Sequence, residues 1–112
     1  MITLEEFQRA DIRIGKVVSA ERLPDSDKLL KIIFDIGEEN GERKTVQILS
    51  GIAEYVGEPS SLVGKEMPVI LNLEPRKMRG EMSYGMLLAA DADGRPTLLH
   101  PSEEVPAGSM VK

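Results

Sequence analysis

The apolar positions of this chain fall into short stretches with a period of two. In "DIRIGKVVSAE", starting at Asp11, Ile12 and Ile14 alternate with Arg13 and Gly15. That predicts a strand, with a bulge or coil near Gly15 so that Val17 or Val18 keeps the buried face. "LLKIIFDI" predicts a second strand, with Leu30, Ile32, Phe34 and Ile36 inward and Leu29, Lys31, Ile33 and Asp35 outward. "KTVQILSGI", "EMPVILNLEP" (stopped by Pro75), "SYGMLLAAD" and "RPTLLHP" predict a third to a sixth. Helical signals are slight. Thr3 and Glu6 have the spacing of a capping box, with Leu4 and Phe7 on one face and Phe7 expected to pack. A single apolar helical turn is expected around Leu62-Val63.

Between these stretches lie residues with turn chemistry: "LPDSDK", a hairpin loop on Asn40-Gly41, and "DADG". Five or six short strands at this spacing predict an all-β fold. A helical turn between the third and fourth strands specifies a five-stranded OB-fold barrel, here with a short N-terminal helical turn and a C-terminal extension. Residues 1–112 make one domain, without a repeat or a second unit. The extension, "TLLHPSEEVPAGSMVK", looks short of internal partners. Leu98, Leu99, Val105 and Met110 are expected to bury against a twofold mate.

Composition removes several function classes. The absence of cysteine excludes a disulfide scaffold, a thiolate zinc site and a cysteine nucleophile, and it fits a reducing cytoplasm. No apolar run reaches the roughly 18 residues of a membrane span, and "MITLEEFQRAD" is not a signal peptide. The starting methionine and capped helix favour a whole gene product over an excised piece. His100, the single histidine, precedes Pro101 with no nucleophile beside it, and reads as a strand-end residue. Asp25 and Asp27 read as a turn pair rather than metal ligands. "DADG" lacks the later ligands of a calcium loop, and no glycine loop cradles phosphate. No enzyme activity, metal or cofactor is expected.

The net charge is −5, which argues mildly against nucleic acid, but local potential matters more than the total. In "EPRKMRGEMSYGM" three cations, Arg76, Lys77 and Arg79, crowd together between Pro75 and Gly80. Both flanking residues constrain the backbone, so the cations leave a defined scaffold. Asn72, expected on the preceding strand and opposite Leu71 and Leu73, and Ser83 beyond add neutral contacts. Lys, Arg, Asn and Ser are the residue types that contact phosphate and sugar. Only four aromatics exist: Phe7, Phe34, Tyr55 and Tyr84. Single-strand binders stack successive bases on aromatic platforms, so a folded RNA, met through backbone and shape, fits better.

"DIRIGKV", "DSDKLLK", "ILSGIAEY", "LVGKEMPVILNLEPRKMRGEMSYGMLLAA" and "VPAG" occur in the order of one family. Over about residues 5–112 the chain resembles the structure-specific tRNA-binding domain. That module occurs as a free-standing bacterial protein and as the C-terminal domain of bacterial methionyl-tRNA synthetase. It is also similar to the domain of the endothelial monocyte-activating polypeptide and yeast synthetase cofactor group. The resemblance implies an OB-fold, a homodimer in bacterial forms, tRNA binding by shape, and association with an aminoacyl-tRNA synthetase. It implies a tRNA surface of Asn72, Lys77, Arg79, Ser83 and Met86, with Arg76 alongside, Lys28 and Lys31 nearby and Ser50 bordering the face. Two departures stand out: Leu23 where the family often has histidine, and Tyr84 where it has a small polar or acidic residue. The CsaA-type chaperone branch shares the fold but lacks the lysine-x-arginine-glycine and serine-x-glycine-methionine pattern, and is the alternative.

Overall fold

The computed structural model describes residues 1–112. Helix α1 spans Leu4–Gln8. Its capping box is formed: Glu6 N donates to Thr3 Oγ1 at 3.1 Å, and Thr3 N donates to the Glu6 carboxylate at 3.0 Å. The helix buries no side chain, so the packing expected of Phe7 does not occur within the chain; Leu4 and Phe7 are exposed.

Nine strands follow: β1 (Ile12–Arg22), β2 (Leu30–Glu39), β3 (Glu42–Ser50), β4 (Glu66–Ile70), β5 (Arg76–Met78), β6 (Glu81–Ser83), β7 (Met86–Leu87), β8 (Ala89–Ala92) and β9 (Arg95–Leu98). Five of them form one antiparallel sheet in the order β3-β2-β1-β4-β7. The sheet curls on itself as an OB-like half-barrel. Between β3 and β4 two short 3-10 helices, Ala53–Tyr55 and Pro59–Leu62, fill one opening, with Leu62 almost fully buried. The helical turn expected around Leu62-Val63 is therefore present, although Val63 itself is exposed.

Strand β2 follows its pattern closely. Leu30, Ile32, Phe34 and Ile36 join Val17, Ile48, Met67, Val69 and Leu87 in the core. Asn40 and Gly41, at φ 55° and 82°, make the two-residue turn into β3. Both values are positive, as a type I′ hairpin needs.

Strand β1 departs from expectation. Its register with β4 runs unbroken from Ile12↔Ile70 to Lys16↔Glu66. Register partners share a face, so Gly15 joins Met67 inside, while Ile12 and Ile14 lie outside with Ile70 and Pro68. The irregularity falls between Val17 and Ser19 and leaves Val18 exposed. No bulge is needed at Gly15, because Phe34 fills the space a side chain there would take: an added Cβ would lie 2.9 Å from Phe34 Cδ1.

Ile12 and Ile14 are nonetheless buried, and the C-terminal segment runs beside them. Ile14 N donates to Ser109 O at 2.8 Å, Gly108 N to Ile14 O at 2.7 Å and Val111 N to Ile12 O at 2.9 Å. Gly108, at φ 89°, lies against the Ile36 carbonyl where any side chain would collide. Val105 N donates to the buried Glu66 carboxylate, and His100 Nδ1 bonds Glu66 O at 2.8 Å. The extension thus has internal partners, contrary to the sequence expectation. Leu99 and Met110 stay exposed.

Candidate nucleic-acid interface

The predicted fifth strand is broken into pieces, and the breakage builds the site. Residues 76–83 do not form a loop but a small hairpin, β5 on β6, with the register Arg76↔Ser83, Lys77↔Met82 and Met78↔Glu81. Arg79 and Gly80 form its turn at φ 50° and 82°. This is again the type I′ geometry, which glycine accepts freely and which costs an arginine roughly 1–2 kcal/mol. After Ser83 the chain crosses between the two edges of the curled sheet. Tyr84 N donates to Gln47 O of β3 at 2.9 Å, and β7 then pairs with β4. Gly85 lies at the closest approach, where an added Cβ would sit 2.6 Å from Ile70 O and 3.2 Å from Ile48 Cδ1. No strand continues through such a pinch, so the expected single strand becomes β6, β7 and β8.

Side chains fix the hairpin to β3. Leu49 N donates to Ser83 Oγ at 3.0 Å, and Ser83 Oγ donates to Gly85 O at 3.0 Å. Gln47 Nε2 donates to Met82 O at 2.8 Å and to the Glu81 carboxylate at 3.2 Å. Gln47 is a positioning residue that the sequence does not reveal, since its partners lie 34 and 35 positions away.

The hairpin has two faces. Arg76, Met78, Ser83 and Gly85 line a narrow crevice of about 70 Å³ with Leu49, Leu73, Glu74 and Met86. Lys77 and Met82 face the other way. Tyr84 forms one wall of a separate cleft of about 280 Å³ with Asp11, Arg13, Ile36, Glu39, Lys44, Thr45, Val46 and Leu71.

Charge is distributed unevenly. Acids pair Arg13, Lys16, Lys31, Arg43 and Lys44. Arg76, Lys77 and Arg79 have no carboxylate within 4.0 Å and are exposed. In the cleft, Arg13 holds Asp11 through Nε at 2.9 Å and Nη2 at 3.2 Å. The hydrogen bond it donates to Asp11 holds the Arg13 guanidinium above its ordinary pKa despite some burial. Lys44, at 2.7 Å, holds the Glu39 carboxyl below its ordinary value by hydrogen bond and charge.

The other predicted residues are placed as follows. Met86 is exposed beside Arg76 in the crevice. Lys31 lies on the outer row, 3.7 Å from both Glu21 and Glu81, so its charge is largely spent. Ser50 ends β3 opposite Leu30, one residue beyond the strand position that holds Ser83. Lys28 is exposed in the turn before β2, where its carbonyl accepts Ala53 N. Ser83 is 3% exposed, and both of its hydrogen bonds are internal. Asn72 lies beyond the end of β4 rather than on it. Its Oδ1 accepts Asp11 N at 2.8 Å and its Nδ2 donates to Arg9 O at 2.6 Å, clamping the link from α1 to β1. These contacts give Ser83 and Asn72 structural work. Of the aromatics, Phe34 is in the core and Tyr55 lies under Arg95, 5.6 Å from its ring centre.

Residues 12–110 match the family model described as "Putative tRNA binding domain". The chain is 43% identical over 110 residues to the methionine–tRNA ligase of Oceanobacillus iheyensis, covering 98% of this chain and 16% of that protein. It thus spans about a sixth of that relative's length. Among solved structures it is similar to a MetRS-related protein from Pyrococcus horikoshii, with TM-score 0.89 and 34% identity, covering 100% of this chain and 98% of the other. It is also similar to the chaperone CsaA from Bacillus anthracis, with TM-score 0.84 and 27% identity, covering 100% of this chain and 99% of the other.

Proposed function

We propose that this chain, which belongs to the tRNA binding domain family, binds tRNA through the face built around the β5–β6 hairpin. One observation carries the placement. Three exposed cations without acidic partners, Arg76 and Lys77 on β5 and Arg79 in the turn, stand on a hairpin tied to β3, and Arg79 holds a left-handed backbone at φ 50°. A cation kept where glycine would cost less is a local conflict of the kind found at functional sites. Seven of the nineteen acids are engaged by other cations, and local potential rather than net charge governs an anion-binding face, which reconciles a net charge of −5 with this reading.

In this reading Arg76, Lys77 and Arg79 meet phosphates, and Met86 adds adaptable apolar contact. Ser83, Gln47 and Asn72 set the face in place. Lys28, Lys31 and Ser50 border it, and Lys31 engages RNA only by leaving its acids. Two copies related by a twofold axis would double the face, with exposed Leu99 and Met110 as candidates for the contact. The module works in the cytoplasm as a binding domain without its own catalysis, alone or attached to an aminoacyl-tRNA synthetase. No helix is long and apolar enough to cross a membrane.

The likeness to CsaA supports a second reading, in which the same barrel holds unfolded polypeptide. A gel-retardation series separates the two. The tRNA reading requires retardation of folded tRNA, little effect on single-stranded oligonucleotides, and no suppression of aggregation of a denatured client. Failure with every tRNA at low salt rejects it.

A further inference from the structure

We propose that the cleft beside Tyr84 takes one unpaired base of the bound RNA, stacked on the Tyr84 ring. The proposal rests on the tRNA-binding reading and adds to it a second contact of different chemistry. Ile36, Val46 and Leu71 give the cleft apolar lining, and Asp11, Arg13, Glu39 and Lys44 bring two ion pairs to it. Apolar lining with a few convergent polar groups is the usual make-up of a small-molecule site. At about 280 Å³ the cleft lies just below the roughly 300 Å³ at which ligand clefts begin, which suits one base and little more.

The polar groups suit a base edge. In the Arg13–Asp11 fork, Nε and Nη2 are engaged while Nη1 remains to donate, and each carboxylate oxygen has a lone pair left to accept. A base presents donors and acceptors side by side, and such a fork can meet both.

Tyr84 is the aromatic that lines the cleft. The residue is 47% exposed and its ring carries no cation, whereas Tyr55, at 44%, has the Arg95 guanidinium 5.6 Å from its ring centre. Its backbone is fixed to Gln47 O at 2.9 Å, so the ring stands on a rigid base. It also lies two residues beyond Met82, the register partner of Lys77. Two strand residues span roughly 7 Å. An RNA strand whose phosphate meets Lys77 is thus within reach of the cleft. Recognition of folded RNA commonly uses unpaired bases splayed onto aromatic rings.

The chain has no tryptophan, so Tyr84→Trp provides a single fluorophore at the site. The full chain carrying this change is titrated with tRNA and, separately, with a fully paired RNA duplex. Expected is quenching of the indole by tRNA, saturating in step with gel retardation, and none by the duplex. In parallel, Tyr84→Ala should weaken tRNA binding roughly 5- to 150-fold, the range for loss of one base–aromatic stack, while Tyr84→Phe stays within about twofold of wild type. Unchanged emission together with unchanged Tyr84→Ala affinity, while tRNA is still retarded, overturns this inference and leaves the tRNA reading intact. Equal quenching by the duplex overturns the assignment to an unpaired base. If the wild-type chain retards no tRNA at low salt, the functional reading and the inference fall together.

Discussion

The backbone N–H of Leu49 donates to the hydroxyl of Ser83 at 3.0 Å, across 34 positions of sequence. This bond attaches the basic hairpin to the free edge of the sheet. Ser83 would have seemed an RNA contact, yet it is 3% exposed and its own proton goes to Gly85 O. The bond holds the strand position opposite Arg76, its register partner, against β3.

Ser83→Ala leaves a buried N–H without an acceptor. Such a group costs about 1–3 kcal/mol. The expected outcome is a loss of that size in urea unfolding and weaker tRNA binding with an unchanged dependence on salt. If stability were unchanged and only binding fell, Ser83 would be a direct contact after all.

Gly85→Ala places a methyl group 2.6 Å from Ile70 O, where the chain passes between the edges of the curled sheet. Backbone stands on the far side, so neither partner can move aside cheaply. Overpacking of this kind costs about 1–3 kcal/mol or more. Thermal unfolding should show a clear fall in Tm. Gly41→Ala meets no neighbour within 4 Å and should show only the smaller penalty of its positive φ.

The core was legible in the sequence because β2 is a clean two-residue alternation between charged turns, and its four inward residues are the ones buried. The hairpin turn at Asn40-Gly41 was legible because those residues tolerate positive φ. Strand β1 was half legible: the alternation is real, but Ile12 and Ile14 face outward beside a C-terminal segment that returns from about 95 positions away. Local pattern does not encode such returns. The same limit hid the hairpin. "RKMRGEMS" has an arginine where a type I′ turn prefers Asn or Gly, so its turn signal was weak. Asn72 has the residue type and place of a phosphate contact, and sequence does not show that its amide is already engaged by Arg9 O and Asp11 N.

Asn72→Ala removes two hydrogen bonds that tie the α1–β1 link to the end of β4. The freed backbone groups are exposed and can turn to water, so the loss is the net value of roughly 0.5–1.5 kcal/mol per bond. Hydrogen exchange at the Asp11 amide should accelerate markedly, while amides of β2 stay protected. A variant that lost tRNA affinity with Asp11 exchange unchanged would return Asn72 to the RNA surface.

The dimer reading is tested without cutting the tail. Truncation from Glu103 would strip Ile12 and Ile14 of their backbone partners and confuse assembly with unfolding. Leu99→Asp and Met110→Asp leave those bonds in place, because both side chains are exposed in the single chain. Sedimentation should move from dimer to monomer with little change in the unfolding of the barrel. A double variant that still sediments as a dimer rejects this contact.

Arg79 separates charge from backbone. Arg79→Gly removes a cation and also removes the left-handed strain at φ 50°, so it should stabilise the fold by up to roughly 1 kcal/mol while weakening tRNA binding. Few substitutions move stability and affinity in opposite directions for a stated cause. Salt dependence then counts the contacts. Each phosphate neutralised contributes about −0.7 to −0.9 to the slope of log affinity against log salt. If Arg76, Lys77 and Arg79 act from one copy, the slope should be about −2 to −3; if both copies of a dimer engage one tRNA, it should be about −4 to −5. Lys77→Ala and Arg79→Gly should each shrink it by about one contact per engaged copy. Lys77 is exposed and unpaired, so its loss should change stability by no more than about 0.5 kcal/mol. If both variants kept the wild-type affinity and slope, the hairpin would be a solvated turn, and the tRNA face would have to lie elsewhere on the barrel.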